Sequence, residues 1–149
     1  TKASGHSQKV YLSRLSAKRR RVTNEDQLWA LLQAEGYERL DPDQLTLQQQ
    51  IDAVSQAQQA VVVHGAALTN MVFMPAGAKV LEVIKAPEPN YHRMTYWHLA
   101  HSLGLKFSVF FGHAERPNAA PTAEDWSAAD LTVDLDRFAR HHRQFFDER

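Results

Sequence analysis

Apolar residues follow two rhythms along this chain, short unbroken runs and helical repeats, and the two alternate from one end to the other. Val10-Tyr11-Leu12 is a short β-prone run. Thr23-Asn24-Glu25-Asp26-Gln27 then offers a capping residue, first-turn acids and a glutamine three positions after Asn24. Leu28, Leu31 and Leu32 follow at helical spacing and Gly36 supplies the stop, which predicts a helix of about three turns. Residues 37–40 form a strand candidate, and Asp41-Pro42-Asp43 is turn chemistry. Thr46 opens a second helix with Gln49 in capping-box position and Leu47, Ile51 and Val54 on one face; its glutamine-rich side reads as solvated. Ala60-Val61-Val62-Val63 is uninterrupted, as suits a strand buried on both faces of a parallel sheet.

Beyond the break at His64-Gly65-Ala66, residues 71–74 lead into Pro75-Ala76-Gly77, where Pro second and Gly fourth fit a type I turn. Residues 80–84 read as another buried strand, broken only by Glu82. A helix is predicted over 91–103 with Tyr96, Ala100 and Leu103 on one face, then a strand over 107–111. Residues 112–129 are small and Pro-rich, a loop; 131–133 suggest a last strand, and Asp134 caps a closing helix bearing Leu135, Phe138 and Phe145. Strands alternating with helices imply an α/β fold, a Rossmann-like parallel sheet with helices on both faces. The whole of 1–149 reads as one domain with a flexible start at 1–8, and no internal repeat is visible.

Composition narrows the class. The 149 residues carry 17 Lys+Arg and 17 Asp+Glu, and a chain of this length buries enough surface to fold without cross-links. With no cysteine, thiolate nucleophiles and Cys-ligated zinc are excluded. No stretch approaches the ~20 apolar residues of a membrane span, and the first nine lack a signal-peptide core. Net neutrality hides one cluster, because Arg14, Lys18, Arg19, Arg20 and Arg21 fall within eight residues without an acid. Such a cluster on an otherwise slightly acidic chain fits one anion-binding spot, or simply a solvated loop.

Ligands of parallel sheets bind beyond the carboxyl ends of the strands. There, Val63-His64-Gly65-Ala66 joins a buried strand to small residues able to start a helix, whose N–H groups and dipole favour a phosphate. A plain turn that needs glycine for its backbone angles is the competing explanation. Arg14 and the 19–21 arginines follow the first strand and so share that edge, where guanidinium forks match phosphate oxygens. Glu82 fits either a ribose partner or a water-facing edge. Neither G-x-G-x-x-G nor a P-loop lysine is present. Asp41-Pro42-Asp43 spells a D-x-D, yet turn formation explains it; His98 and His101 lack a third ligand at zinc spacing, and His141-His142 reads as surface. The three tryptophans are assigned to packing, and no asparagine lies in a glycosylation sequon.

Taken together, Val10-Tyr11-Leu12-Ser13-Arg14, Arg20-Arg21-Val22-Thr23-Asn24-Glu25, His64-Gly65-Ala66-Ala67-Leu68-Thr69-Asn70, Phe73-Met74-Pro75 with Gly77, and Val80-Leu81-Glu82-Val83 resemble the signature blocks of glycosyltransferase family 61 in order and spacing. The resemblance covers about residues 9–111; Ala67 departs from it, since many members have glycine there. It implies an inverting transferase of the GT-B arrangement that passes a sugar from a UDP-sugar donor to a hydroxyl acceptor without an obligatory metal or other cofactor. On that basis the chain is the donor-binding half, with the acceptor-binding half outside it. The resemblance implies donor-phosphate roles for Arg14, Arg20, His64, Gly65, Ala66 and Asn70, and a ribose or structural role for Glu82. His64 is also the candidate base, while helix capping suffices to explain Asn24 and Glu25. The implied partners are the nucleotide-sugar and a glycan or protein acceptor, with no nucleic acid and no membrane span, and the expected setting is bacterial cytoplasm rather than the secretory pathway. The competing function class is a non-catalytic module binding nucleic acid or protein through residues 14–21.

Overall fold

The computed structural model describes residues 8–86, 94–115 and 128–148. The expected flexible start, most of the 112–129 loop, His92, Trp126 and the first residues of the helix predicted over 91–103 lie outside the described residues. Six strands form one sheet: β1 (Lys9–Leu12), β2 (Glu38–Leu40), β3 (Gln59–Val63), β4 (Lys79–Ala86), β5 (Lys106–Ala114) and β6 (Leu131–Thr132), in the order β2-β1-β3-β4-β5-β6. The first five pair in parallel, so the fold is Rossmann-like α/β. The last strand departs from the expectation of a parallel sheet: β6 pairs antiparallel with β5, His113 opposite Thr132 and Ala114 opposite Leu131. A strand that doubles back on its neighbour needs no crossover helix.

Helix α1 (Glu25–Ala34) and helix α4 (Leu135–Asp147) cover one face of the sheet, burying Tyr11, Leu28, Leu32, Val61, Val63 and Phe138 in a common core. Helix α2 (Leu47–Val54), the 3-10 helix at Ala66–Phe73 and helix α3 (Thr95–Ser102) cover the other, over Val10, Leu12, Val62, Leu68 and Met71. Alternate residues of β1 and β3 enter opposite cores, which is why 60–63 reads as unbroken apolar sequence. The Thr46–Gln49 capping box and the Asp134 cap form as expected. The turn before β4 falls one residue later than expected: Ala78 N–H bonds Pro75 O, and Gly77 takes the third position with φ +83°. A positive φ at that position is the reason the turn needs glycine. No helix among the described residues is long and apolar enough to cross a membrane.

His142 corrects the surface expectation. It is 5% exposed, packs among Phe138 and Phe146, and shares a 2.8 Å hydrogen bond with Tyr37 Oη. Its neighbour His141 is half-buried and bonds Ser108 Oγ. Burial lowers the pKa of both rings below the ordinary 6.5. A lowered pKa means that the unfolded chain takes up protons first, so this contribution to stability is complete above about pH 6.5 and is lost as the pH falls. Thermal unfolding at pH 7, 6 and 5 should show the wild-type midpoint dropping, and His142→Gln should flatten that slope. Parallel curves for the two proteins would refute the assignment.

Candidate functional site

The direction of the strand order reverses between β1 and β3, and in doubly wound sheets that reversal opens a crevice beyond the strands' carboxyl ends. Ser13 and Arg14 leave β1 at this point, while His64 and Gly65 leave β3. The Arg14 guanidinium lies directly over Gly65: a Cβ there would come 2.3 Å from Arg14 Nη1 and 3.3 Å from Cζ. Gly65 is in extended backbone, so the competing turn explanation fails; what the missing Cβ permits is the close seat of the Arg14 guanidinium. From the other side Arg14 Nε and Nη2 donate to Arg19 O at 3.4 and 3.3 Å, which steadies the fork.

A cleft of about 290 Å³ opens here, lined by Ser13, Arg14, Ala66, Ala67, Thr69 and Asn70 together with residues of the β2–α2 connection. The segment after Gly65 is a helix as expected, but of 3-10 type over eight residues, and no side chain caps its first turn. Runs of that length are uncommon. Ser13 is 2% exposed, and its hydroxyl has no hydrogen-bond partner among the described residues. An unmet buried hydroxyl is worth about 1–3 kcal/mol, which a bound acceptor oxygen would recover. Asn70 is buried and donates to Gln50 Oε1 at 2.9 Å; Gln50 Nε2 in turn holds Pro42 O and Leu45 O. Gln50 thus clamps the β2–α2 connection to the 3-10 helix, a role that a uniformly solvated glutamine face does not anticipate. Asp41 spends its carboxylate on Ser16 and on Asp43 N–H, so the D-x-D builds the turn.

Across β3, the other candidates gather in a separate niche. Arg20 and His64 line it with Lys85. Arg20 has φ +57°, a left-handed conformation that disfavours any side chain by about 1–2 kcal/mol, and its N–H donates to Ala128 O. Glu82 is 1% exposed in the middle of the sheet, opposite Val62 and Val109, so the water-facing alternative is overturned. Its Oε1 forms a very short contact with His64 Nδ1, which fixes the imidazole and leaves Nε2 for other work. The Tyr96 ring meets His64 edge-on at 5.8 Å; burial, then the Glu82 charge, raises the tyrosine pKa, opposed by Arg20. The structure therefore brings Arg14, Gly65, Ala66 and Asn70 around one cleft, and Arg20, His64 and Glu82 into an adjoining niche.

Three residues have contacts that the sequence reading does not anticipate. Ser13 was findable as the first position beyond β1. Asn24 does not cap α1 with its side chain; both its amide atoms hold the backbone of Val133, 109 residues away. Glu25 is likewise more than a first-turn acid: it is 7% exposed and accepts from Tyr11 Oη at 2.7 Å. No local signal announces either contact. Trp97 is 39% exposed and stacks on His101, so the packing assignment fails for it, whereas Trp29 packs on Tyr11 and under Arg39.

Comparison with known proteins follows the same residues. The family model described as Glycosyltransferase 61 matches residues 2–81. The EGF domain-specific O-linked N-acetylglucosamine transferase of Drosophila melanogaster is 32% identical over 104 residues, which is 68% of this chain. The chain spans 19% of that relative's length. With more than half of its length under the family model, and Arg14 and Gly65 packed together at the sheet reversal, this chain belongs to glycosyltransferase family 61.

Proposed function

We propose that this chain is the donor-binding half of a GT-B glycosyltransferase, and that the cleft at Arg14 holds the diphosphate of a UDP-sugar. The observation that carries this reading is the Arg14 guanidinium packed on Gly65 beside the unpartnered Ser13 hydroxyl. Arg14 offers the charge, Ser13 and the first turn of the 3-10 helix offer donors, and all of them suit oxygens of a departing diphosphate. The N-acetylglucosamine transferase named above supports a nucleotide-activated sugar as donor and a hydroxyl as acceptor. In the proposed transfer the acceptor hydroxyl loses its proton as its oxygen bonds the anomeric carbon, and the sugar–phosphate bond breaks with its electrons on the diphosphate. Inversion follows from a single displacement. His64, its Nδ1 held by Glu82, is the candidate for taking that proton at Nε2, and Arg20 adds positive charge to its niche.

The basic segment offers little to the alternative of a nucleic-acid module. Arg14 turns onto Gly65 and Arg21 pairs with Asp130 at 3.2 Å, so these two cations do not join the others in one free outward face.

Calorimetry with UDP tests the proposal directly: heat of binding is expected at millimolar ligand or below, and its absence would end the proposal. Gly65→Ala sharpens the test. The new methyl group must push away the tip of a flexible side chain rather than backbone, so the midpoint of unfolding should stay within about 3 °C. UDP affinity should nevertheless fall about tenfold, as the fork loses its seat.

A further inference from the structure

Arg14 stands between two clefts. Besides the one described, it borders a second of about 390 Å³ on the α1 side of the sheet, walled by Arg21, Thr23, Glu25 and Asp130 among others. Glu25 is the anomaly in that wall. Tyr11 Oη satisfies Oε2, but Oε1 has no hydrogen-bond partner among the described residues although the side chain is buried. Burial also raises the pKa of both groups, which keeps Tyr11 protonated and donating. An unmet carboxylate oxygen in a buried wall is costly, and natural proteins seldom keep one without a use.

A diphosphate gripped by Arg14 has a ring on each end, the nucleoside ribose and the transferred sugar. Clefts on both sides of the arginine offer each ring a place to lie. We infer that this cleft is a second subsite for the donor, in which Glu25 Oε1 accepts a ring hydroxyl of the nucleotide-sugar. The inference rests on the donor-binding reading and adds to it a residue that selects the donor by its hydroxyls. Arg21 is already paired with Asp130 across the same cleft and the Asp26 carboxylate on its wall is exposed to water, whereas Glu25 Oε1 is the buried carboxylate oxygen of that wall with no partner among the described residues.

The test is titration calorimetry of this chain with pyrophosphate, UDP and UDP-N-acetylglucosamine, using wild type, Glu25→Gln and Glu25→Leu. Wild type should bind at least one of the ring-bearing ligands about tenfold or more tightly than pyrophosphate. Both variants should keep pyrophosphate affinity within about twofold, which also certifies that they are folded, and lose about ten- to hundredfold on the ring-bearing ligand. A loss seen with UDP assigns the ribose hydroxyls; a loss confined to UDP-N-acetylglucosamine assigns the sugar. Equal affinity of wild type for all three ligands would overturn the inference, as would variants that lose nothing or lose pyrophosphate to the same extent. Should pyrophosphate and UDP both fail to bind wild type, the donor-binding reading itself falls, and this subsite with it.

Discussion

Replacing Arg14 with alanine is expected to weaken UDP binding about a hundredfold or more while leaving the fold intact. Among the described residues the side chain makes two hydrogen bonds, both to Arg19 O, and it belongs to neither hydrophobic core. Its removal should therefore change stability by no more than about 1 kcal/mol. Its charge is another matter, since a guanidinium engages phosphate through paired, charge-assisted hydrogen bonds worth about 1.5–3 kcal/mol each. Lysine at this position should recover only part of the loss, because a point charge cannot reproduce the fork. Calorimetry with UDP across a salt series is the measurement. Unchanged affinity in Arg14→Ala would remove the diphosphate from this cleft.

The second large effect concerns the fold. Phe138 is fully buried and meets Phe110 edge-on at 5.2 Å, joining α4 to β5 in the core shared with α1. Phe138→Ala leaves a cavity at that junction and should lower stability by about 3–5 kcal/mol. Whole domains of this kind have only about 5–15 kcal/mol in total. Chemical denaturation should show the loss as a shifted midpoint, with Phe145→Ala, at a partly buried position, losing clearly less. A loss below about 1.5 kcal/mol for Phe138→Ala would mean that the closing helix is only loosely attached.

How much of this was legible in the sequence depends on whether the determining interaction is local. The capping box at Thr46, the cap at Asp134 and the apolar run at 60–63 are local or periodic signals, and the elements they announce are present. The glycine of the His64-Gly65 turn reads in sequence as a place for close approach of a phosphate; the group the structure shows approaching it is the Arg14 guanidinium. What escaped was set by partners far along the chain. Asn24 has the look of a helix cap, yet Val133 claims it; His142 has the look of a surface residue, yet Tyr37 lies across from it. The direction of β6 was equally hidden, because two residues carry no pattern that distinguishes parallel from antiparallel pairing. Glu82 was visible as a polar residue in an apolar strand, while its tie to His64 became visible only through the register of β3 and β4.

The ties between the arginine segment and the closing segment carry a consequence for how the protein is made. Arg21 N–H bonds Asp130, the Leu131 N–H bonds Arg21 O, the Thr23 N–H bonds Leu131 O, and Asn24 grips Val133, all across about a hundred residues. A nascent polypeptide emerging from the ribosome cannot set these arginines until residues 130–133 have been synthesised. The stretch matched by the family model, cut out alone at residue 81, would lack that buckle, and its cation-rich segment would be held only at its start, by Arg14 on Gly65 and Ser16 on Asp41.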